Sequence, residues 1–128
     1  MVDAIKQYAH TLTTVEPLAP NADLTFLKET LKDKSIIGLG EATHGTKEFF
    51  QMKHRLLKYL VEEMGYRVFA MEANFSECLA INDYVMYGKG DPEIALRGIY
   101  FWTWNTVEVL DMIKWMKAYN ENKPDKEK

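Results

Sequence analysis

Glu41 and His44 stand three residues apart, just past the apolar run Ser35-Ile-Ile-Gly-Leu-Gly40, and Glu72 follows a second apolar run, Arg67-Val-Phe-Ala-Met71. A carboxylate beside an imidazole suits proton transfer, because the acid orients the ring and raises its basicity. With His44 as base, water or an alcohol becomes the nucleophile, and Glu72 can hold that water or a substrate hydroxyl. The same three residues admit two other uses. Glu, His and Glu form an acceptable carboxylate-rich metal ligand set, although neither HExxH nor HxH spacing is present. Alternatively, Glu41 and Glu72 cap helix N-termini and His44 is a turn residue.

Other chemistry-bearing residues surround this trio. Gly38-Leu-Gly40 with Glu72 has the outline of a dinucleotide fingerprint, but Thr43 replaces the third glycine and Glu41 would face a pyrophosphate with like charge. Lys53 lies four residues after Phe49 and three before Leu56, so it points along the apolar stripe of its helix, where it either snorkels at a domain edge or reaches an anionic group. His54 falls at the edge of that stripe and Arg55 on the solvent side. Cys78 has no adjacent histidine and reads as a packing residue. Tyr100, Phe101, Trp102 and Trp104 read as packing, or else as an apolar wall for a hydrophobic substrate, with Trp102 and Lys53 as substrate-binding residues.

The elements that must position these groups follow from periodicity and punctuation. A weakly amphipathic helix opens the chain, with Ile5, Tyr8, Ala9 and Leu12 at helical spacing, before Pro17 and Pro20. Leu24, Leu27 and Leu31 mark a second helix, which Asn21 or Asp23 can cap. Ser35–Leu39 reads as a first strand, Thr46–Met64 as a long helix closed by Gly65, and Tyr66–Met71 as a second strand. In that helix, Phe49, Leu56, Leu60 and Met64 form the expected core stripe. Helices follow from the Asn74 cap to Tyr87, from Asp91-Pro92, and from Asn105 to about Asn120. Residues 121–128 are polar and charged, as in a disordered tail.

Strand, helix and strand in this order predict an α/β fold: a βαβ-based parallel sheet flanked by helices, the N-terminal part of a larger three-layer domain. Parallel pairing would bring Glu41, His44 and Glu72 to one sheet edge. Two strands are too few for a covered sheet, so further chain or a homo-oligomer is expected to complete it.

Composition narrows the function classes. The 128 residues suit a single domain, and a net charge of −3 with interspersed signs leaves no basic patch for nucleic acid. The single cysteine excludes an internal disulfide and a multi-cysteine zinc site. No apolar run approaches the length of a membrane span and no secretory leader is visible, so a cytoplasmic protein is expected.

Across Gly40-Glu-Ala-Thr-His-Gly45, Lys47-Glu-Phe-Phe-Gln-Met-Lys53, Val68-Phe-Ala-Met-Glu-Ala73 and Phe101-Trp-Thr-Trp-Asn-Thr106, the chain resembles the erythromycin esterase family. The similarity runs from about Asp23 to Asn120. It implies hydrolysis of a small-molecule ester, the macrolide lactone, by water activated without a metal or other cofactor. The family's catalytic base matches His44, and its supporting acids match Glu41 and Glu72. An arginine commonly found nine residues after that histidine corresponds to Lys53, which keeps the charge and loses the bidentate fork. Some members are called succinoglycan biosynthesis proteins. Full members are longer and bring further histidines from a later segment. The resemblance therefore implies one part of a site, and efficient hydrolysis is not expected of this chain alone. The alternatives left standing are a non-catalytic or oligomer-forming module with a vestigial site, and a metal-dependent hydrolase using the same residues.

Overall fold

The computed structural model describes residues 2–128, Ala4 by its backbone only, and all its regular structure is helical. The elements are α1 (Val2–Tyr8), α2 (Phe26–Leu31), α3 (Lys47–Met64), α4 (Phe75–Tyr87), α5 (Pro92–Gly98) and α6 (Val107–Asn120). Single 3-10 turns occupy Ala22–Leu24 and Asp125–Glu127. The opening helix stops at Tyr8, well before the prolines and shortly before Thr11-Leu-Thr-Thr-Val15, a segment rich in β-branched residues.

α3 has neither proline nor glycine, and it ends where Gly65 turns left-handed at φ 78° and donates its N–H to the Leu60 carbonyl. Asp91 caps α5 by accepting from the Glu93 and Ile94 amides, with Pro92 at the first helical position. The start of α6 is capped by Thr106, one residue later than Asn105, through the Val109 amide at 3.3 Å. Asn74 occupies the cap position of α4 but makes no side-chain cap bond.

α6 packs against α3, α4 and α5, and α4 against α5. Phe50, Leu57 and Val61 from α3 meet Ile81, Ala95, Leu96, Ile99, Val109, Met112 and Ile113 in one apolar core. The buried stripe of α3 is thus rotated by about one position from the expected Phe49–Leu56–Leu60–Met64 line, and Phe49 is exposed.

The expected parallel sheet does not form. Among the described residues none is in a strand, and no backbone hydrogen bond joins the 35–40 segment to the 66–71 segment. Both run without helical structure, yet Ile36 is 89 % exposed and Val68 87 % exposed, so neither segment is covered on both faces. In 66–71, Phe69 and Met71 pack on the core while Val68 and Ala70 face outward. This is the alternation of extended backbone. An apolar run bounded by glycines encodes extension and burial of one face; the neighbouring strand that makes it a sheet is a separate requirement, and it is not met here. A side-chain link holds the two segments instead, as the Tyr66 hydroxyl donates to the Lys34 carbonyl. No helix of the described residues is long and apolar enough to cross a membrane.

Candidate active site

The loop from Gly40 to Thr46 joins the first extended segment to α3. Among the described residues, no main-chain amide from Ser35 to Gly45 donates a hydrogen bond, and side-chain bonds together with the turn at 44–45 hold this loop in place. Thr43 and Thr46 pair through their hydroxyls at 2.5 Å. Gly45 takes φ 73°, where a side chain would be strained, and this turn leads from His44 into the helix.

Glu41 is the hub. Its Oε1 lies 2.5 Å from His44 Nδ1, and its Oε2 accepts from Lys53 Nζ at 2.5 Å. The Lys53 ammonium bonded to it holds the Glu41 carboxyl below its ordinary range, with the His44 contact adding to this and partial burial opposing it. An ionised carboxylate only accepts hydrogen bonds, so in its neutral form the His44 ring carries its proton on Nδ1 and leaves the lone pair on Nε2. The His44 side chain is 59 % exposed.

Lys53 is 7 % exposed, in keeping with its expected place on the inward stripe. Its ammonium sits 5.2 Å from the ring centroid of Trp104 and 5.6 Å from that of Phe50. Trp102 meets His44 edge-on, with ring centroids 6.1 Å apart and planes at 84°, and it is largely exposed.

Glu72 is placed differently. Its side chain is exposed and has no hydrogen bond or ion pair among the described residues. Its main-chain carbonyl accepts from Trp104 Nε1 at 3.1 Å. Trp104 thus links the Glu72 segment to Lys53, and no sheet edge unites Glu72 with Glu41 and His44 as expected. Among the described residues no three of His, Cys, Asp and Glu come together in a manner that could hold a metal ion.

Two neighbours on α3 depart from the helical-face reading. His54 is 3 % exposed, lies 5.7 Å from the Trp115 ring, and has no hydrogen-bond partner on either ring nitrogen among the described residues. Burial pushes its pKa down to about 4. Arg55, expected in solvent, is fully buried beneath residues 13–24. It donates to the Thr14 and Pro20 carbonyls, each at 2.7 Å, and to the Asp23 carboxylate at 2.5 and 3.1 Å. Asp23 is therefore the partner of Arg55, not a helix cap, and Arg55 with the Thr13 amide holds its carboxyl far below the usual range. The signal available in the sequence was an arginine on a long helix with an acid in the preceding polar segment, and it is a weak one.

Cys78 is half-buried and its thiol pKa is raised by burial, as suits a packing residue. A separate apolar hollow of about 750 Å³ lies between residues 66–73, α4 and the end of α6, and neither Glu41, His44 nor Lys53 lines it.

Comparison with known proteins fits this geometry to a family. The erythromycin esterase family model matches residues 61–128, an interval that starts beyond Glu41, His44 and Lys53. A Bacillus subtilis (strain 168) protein named as a hydrolase, YbfO, is 39 % identical over 103 residues, covering 80 % of this chain and 23 % of its own length. Erythromycin esterase type II of Escherichia coli is 35 % identical over 107 residues, 81 % of this chain and 24 % of that protein. A crystal structure described as a succinoglycan biosynthesis protein superposes with TM-score 0.86 at 44 % identity, over 94 % of this chain and 30 % of that one. A Bacillus cereus protein superposes with TM-score 0.85 at 39 % identity, over 94 % and 28 % respectively. The chain spans about a quarter of the length of the two curated relatives. It belongs to the erythromycin esterase family.

Proposed function

We propose that the chain carries the general-base part of an ester hydrolase, with a macrolide-type lactone as the substrate class. The observation that supports this best is the single carboxylate of Glu41, shared between His44 and Lys53. Lys53 keeps Glu41 ionised, Glu41 fixes the His44 tautomer, and Nε2 is left as the base. In the reaction, Nε2 takes a proton from water as the water oxygen bonds to the ester carbonyl carbon. The carbon–oxygen bond of the ester then breaks, and the imidazolium returns the proton to the departing alkoxide, giving an acid and an alcohol. Glu72 is the acid that orients water or a substrate hydroxyl, and Trp102 forms the apolar side of the substrate pocket. Opening a macrolide ring in this way would inactivate such an antibiotic.

The test uses the 128-residue chain with a macrolide lactone and with a simple activated ester, following acid release. Hydrolysis that survives exhaustive chelation and falls by roughly 100-fold or more in His44→Ala supports the reading. Absence of turnover at high protein concentration overturns it in favour of a non-catalytic module, and loss of activity on chelation favours a metal-dependent hydrolase.

A further inference from the structure

The turn before α6 puts two indoles, two residues apart, against the row formed by His44, Glu41 and Lys53. Trp102 meets His44 at one end, and Trp104 covers Lys53 at the other. The turn is tightly made. The Trp104 amide donates to the Phe101 carbonyl at 3.1 Å, Asn105 to Trp102 at 3.2 Å, and Thr106 to Trp104 at 2.8 Å. Just before it, Tyr100 adopts φ 55°, a conformation uncommon for a residue with a side chain. Thr103, between the two indoles, is buried, and Thr106 caps α6.

We propose that Trp104 is a positioning residue, whose ring face seats the Lys53 ammonium against Glu41 while its N–H holds the Glu72 main chain beside the same site. This role rests on the hydrolase reading above.

The argument begins with what Lys53 needs. Its side chain is almost fully withdrawn from water, and a buried ammonium requires compensation. Glu41 supplies a charge partner on one side. The faces of Trp104 and Phe50, whose ring centroids are 5.7 Å apart, supply the negative side of the π quadrupole on the others. Phe50 belongs to α3 itself and travels with Lys53, whereas Trp104 comes from a distant turn and fixes Lys53 against the rest of the fold. The second half of the role uses the opposite property of the same side chain. An indole N–H seeks an acceptor when its ring is packed away, and here the acceptor is the carbonyl of Glu72. One residue thus joins the two acids assigned to the site, although their side chains do not touch.

Two substitutions separate the halves. Trp104→Leu removes both the ring face and the donor, and Trp104→Phe keeps a ring face without the donor. The primary readout is the titration of the Glu41 carboxyl, followed by carbon NMR on protein labelled at glutamate, which requires no turnover. Lys53→Met serves as the positive control and should move that titration upward. Trp104→Leu should move it in the same direction, and Trp104→Phe should leave it near the parent value. In the hydrolysis assay, Trp104→Leu should lower kcat by roughly 10- to 100-fold with KM within about twofold. Trp104→Phe and Glu72→Gln should be non-additive.

An unmoved Glu41 titration in folded Trp104→Leu, with the control responding, overturns the proposal. Equal shifts in Trp104→Phe and Trp104→Leu also overturn it, since the ring face would then be irrelevant. If Trp104→Leu does not fold, Trp104→Phe with Phe50→Leu tests the aromatic seat by the same titration, and no upward shift overturns it. A parent chain without turnover removes the hydrolase reading while the titration still decides the seat of Lys53.

Discussion

Lys53 reaches from the second turn of α3 back to Glu41, twelve residues earlier, and its Nζ lies 2.5 Å from Oε2. Among the described residues no main-chain amide from 35 to 45 donates a hydrogen bond, so this ion pair ties the His44 loop to the helix alongside the Thr46 carbonyl, which accepts from the Phe49 and Phe50 amides. Lys53→Met should therefore release Glu41, raise its carboxyl pKa toward the ordinary value and lower kcat by roughly 100-fold. Lys53→Arg should retain more activity than Lys53→Met, since it keeps the charge and adds a fork that matches a carboxylate. Steady-state kinetics on the two variants check this, and equal activity in both would remove charge as the working property.

Arg55 and Asp23 predict a different loss. Removing one partner of a buried, hydrogen-bonded pair leaves the other without compensation, and two main-chain carbonyls lose their donor as well. Arg55→Met should lower the melting temperature by several degrees or more and free residues 13–24 to proteolysis. Glu41 and His44 do not contact this pair, so the Glu41 titration should change little. Thermal unfolding with limited proteolysis checks both halves.

His54 should give stability a pH slope. Its pKa is about 4 in the folded chain against 6.5 for an ordinary histidine, so between those values the unfolded chain binds the extra proton. Stability from keeping His54 neutral is full above the unfolded value, falls as pH drops from about 6.5 to about 4, and changes no further below that. Asp111 and Lys58 modulate the folded value in opposite directions. Within the window the slope approaches about 1.4 kcal/mol per pH unit. In His54→Phe, which keeps a ring against Trp115, urea midpoints measured between pH 4.5 and 7 should lose that component.

Trp102 is exposed beside the base, which makes it the residue through which an apolar substrate would be held. Trp102→Ala should raise KM for a macrolide by roughly tenfold with a smaller change in kcat. For a small ester that does not reach the indole, both constants should stay close to the parent values. A fall in kcat alone, for both substrates, would instead mean that Trp102 steadies the His44 ring.

The parts of the structure legible in the sequence are those governed by local rules. The limits of α3, its Gly65 cap, the Asp91-Pro92 start of α5 and the inward direction of Lys53 all follow from spacing and cap chemistry. What was not legible depends on neighbours. A single apolar stripe implies one buried face, but α3 is covered by α6 on one side and by residues 13–24 on another, so His54 and Arg55 are buried as well. The 35–40 and 66–71 runs carry an apolar pattern without the pairing that makes strands. Their apparent alignment suggested a sheet edge uniting Glu41 with Glu72, whereas a tryptophan about thirty residues further along the chain makes the link. Family motifs identified the chain where periodicity could not.

The amides of residues 35–45, which donate to no acceptor among the described residues, have a consequence for time scales. Hydrogen exchange in α3 and α6 should require opening of the core, whereas the loop bearing Glu41 and His44 should exchange without it. The Lys53–Glu41 pair should therefore straddle a boundary between slowly and rapidly exchanging chain. A ligand that seats the loop would be visible first as new protection at Glu41 and His44, while the helices keep their rates unchanged.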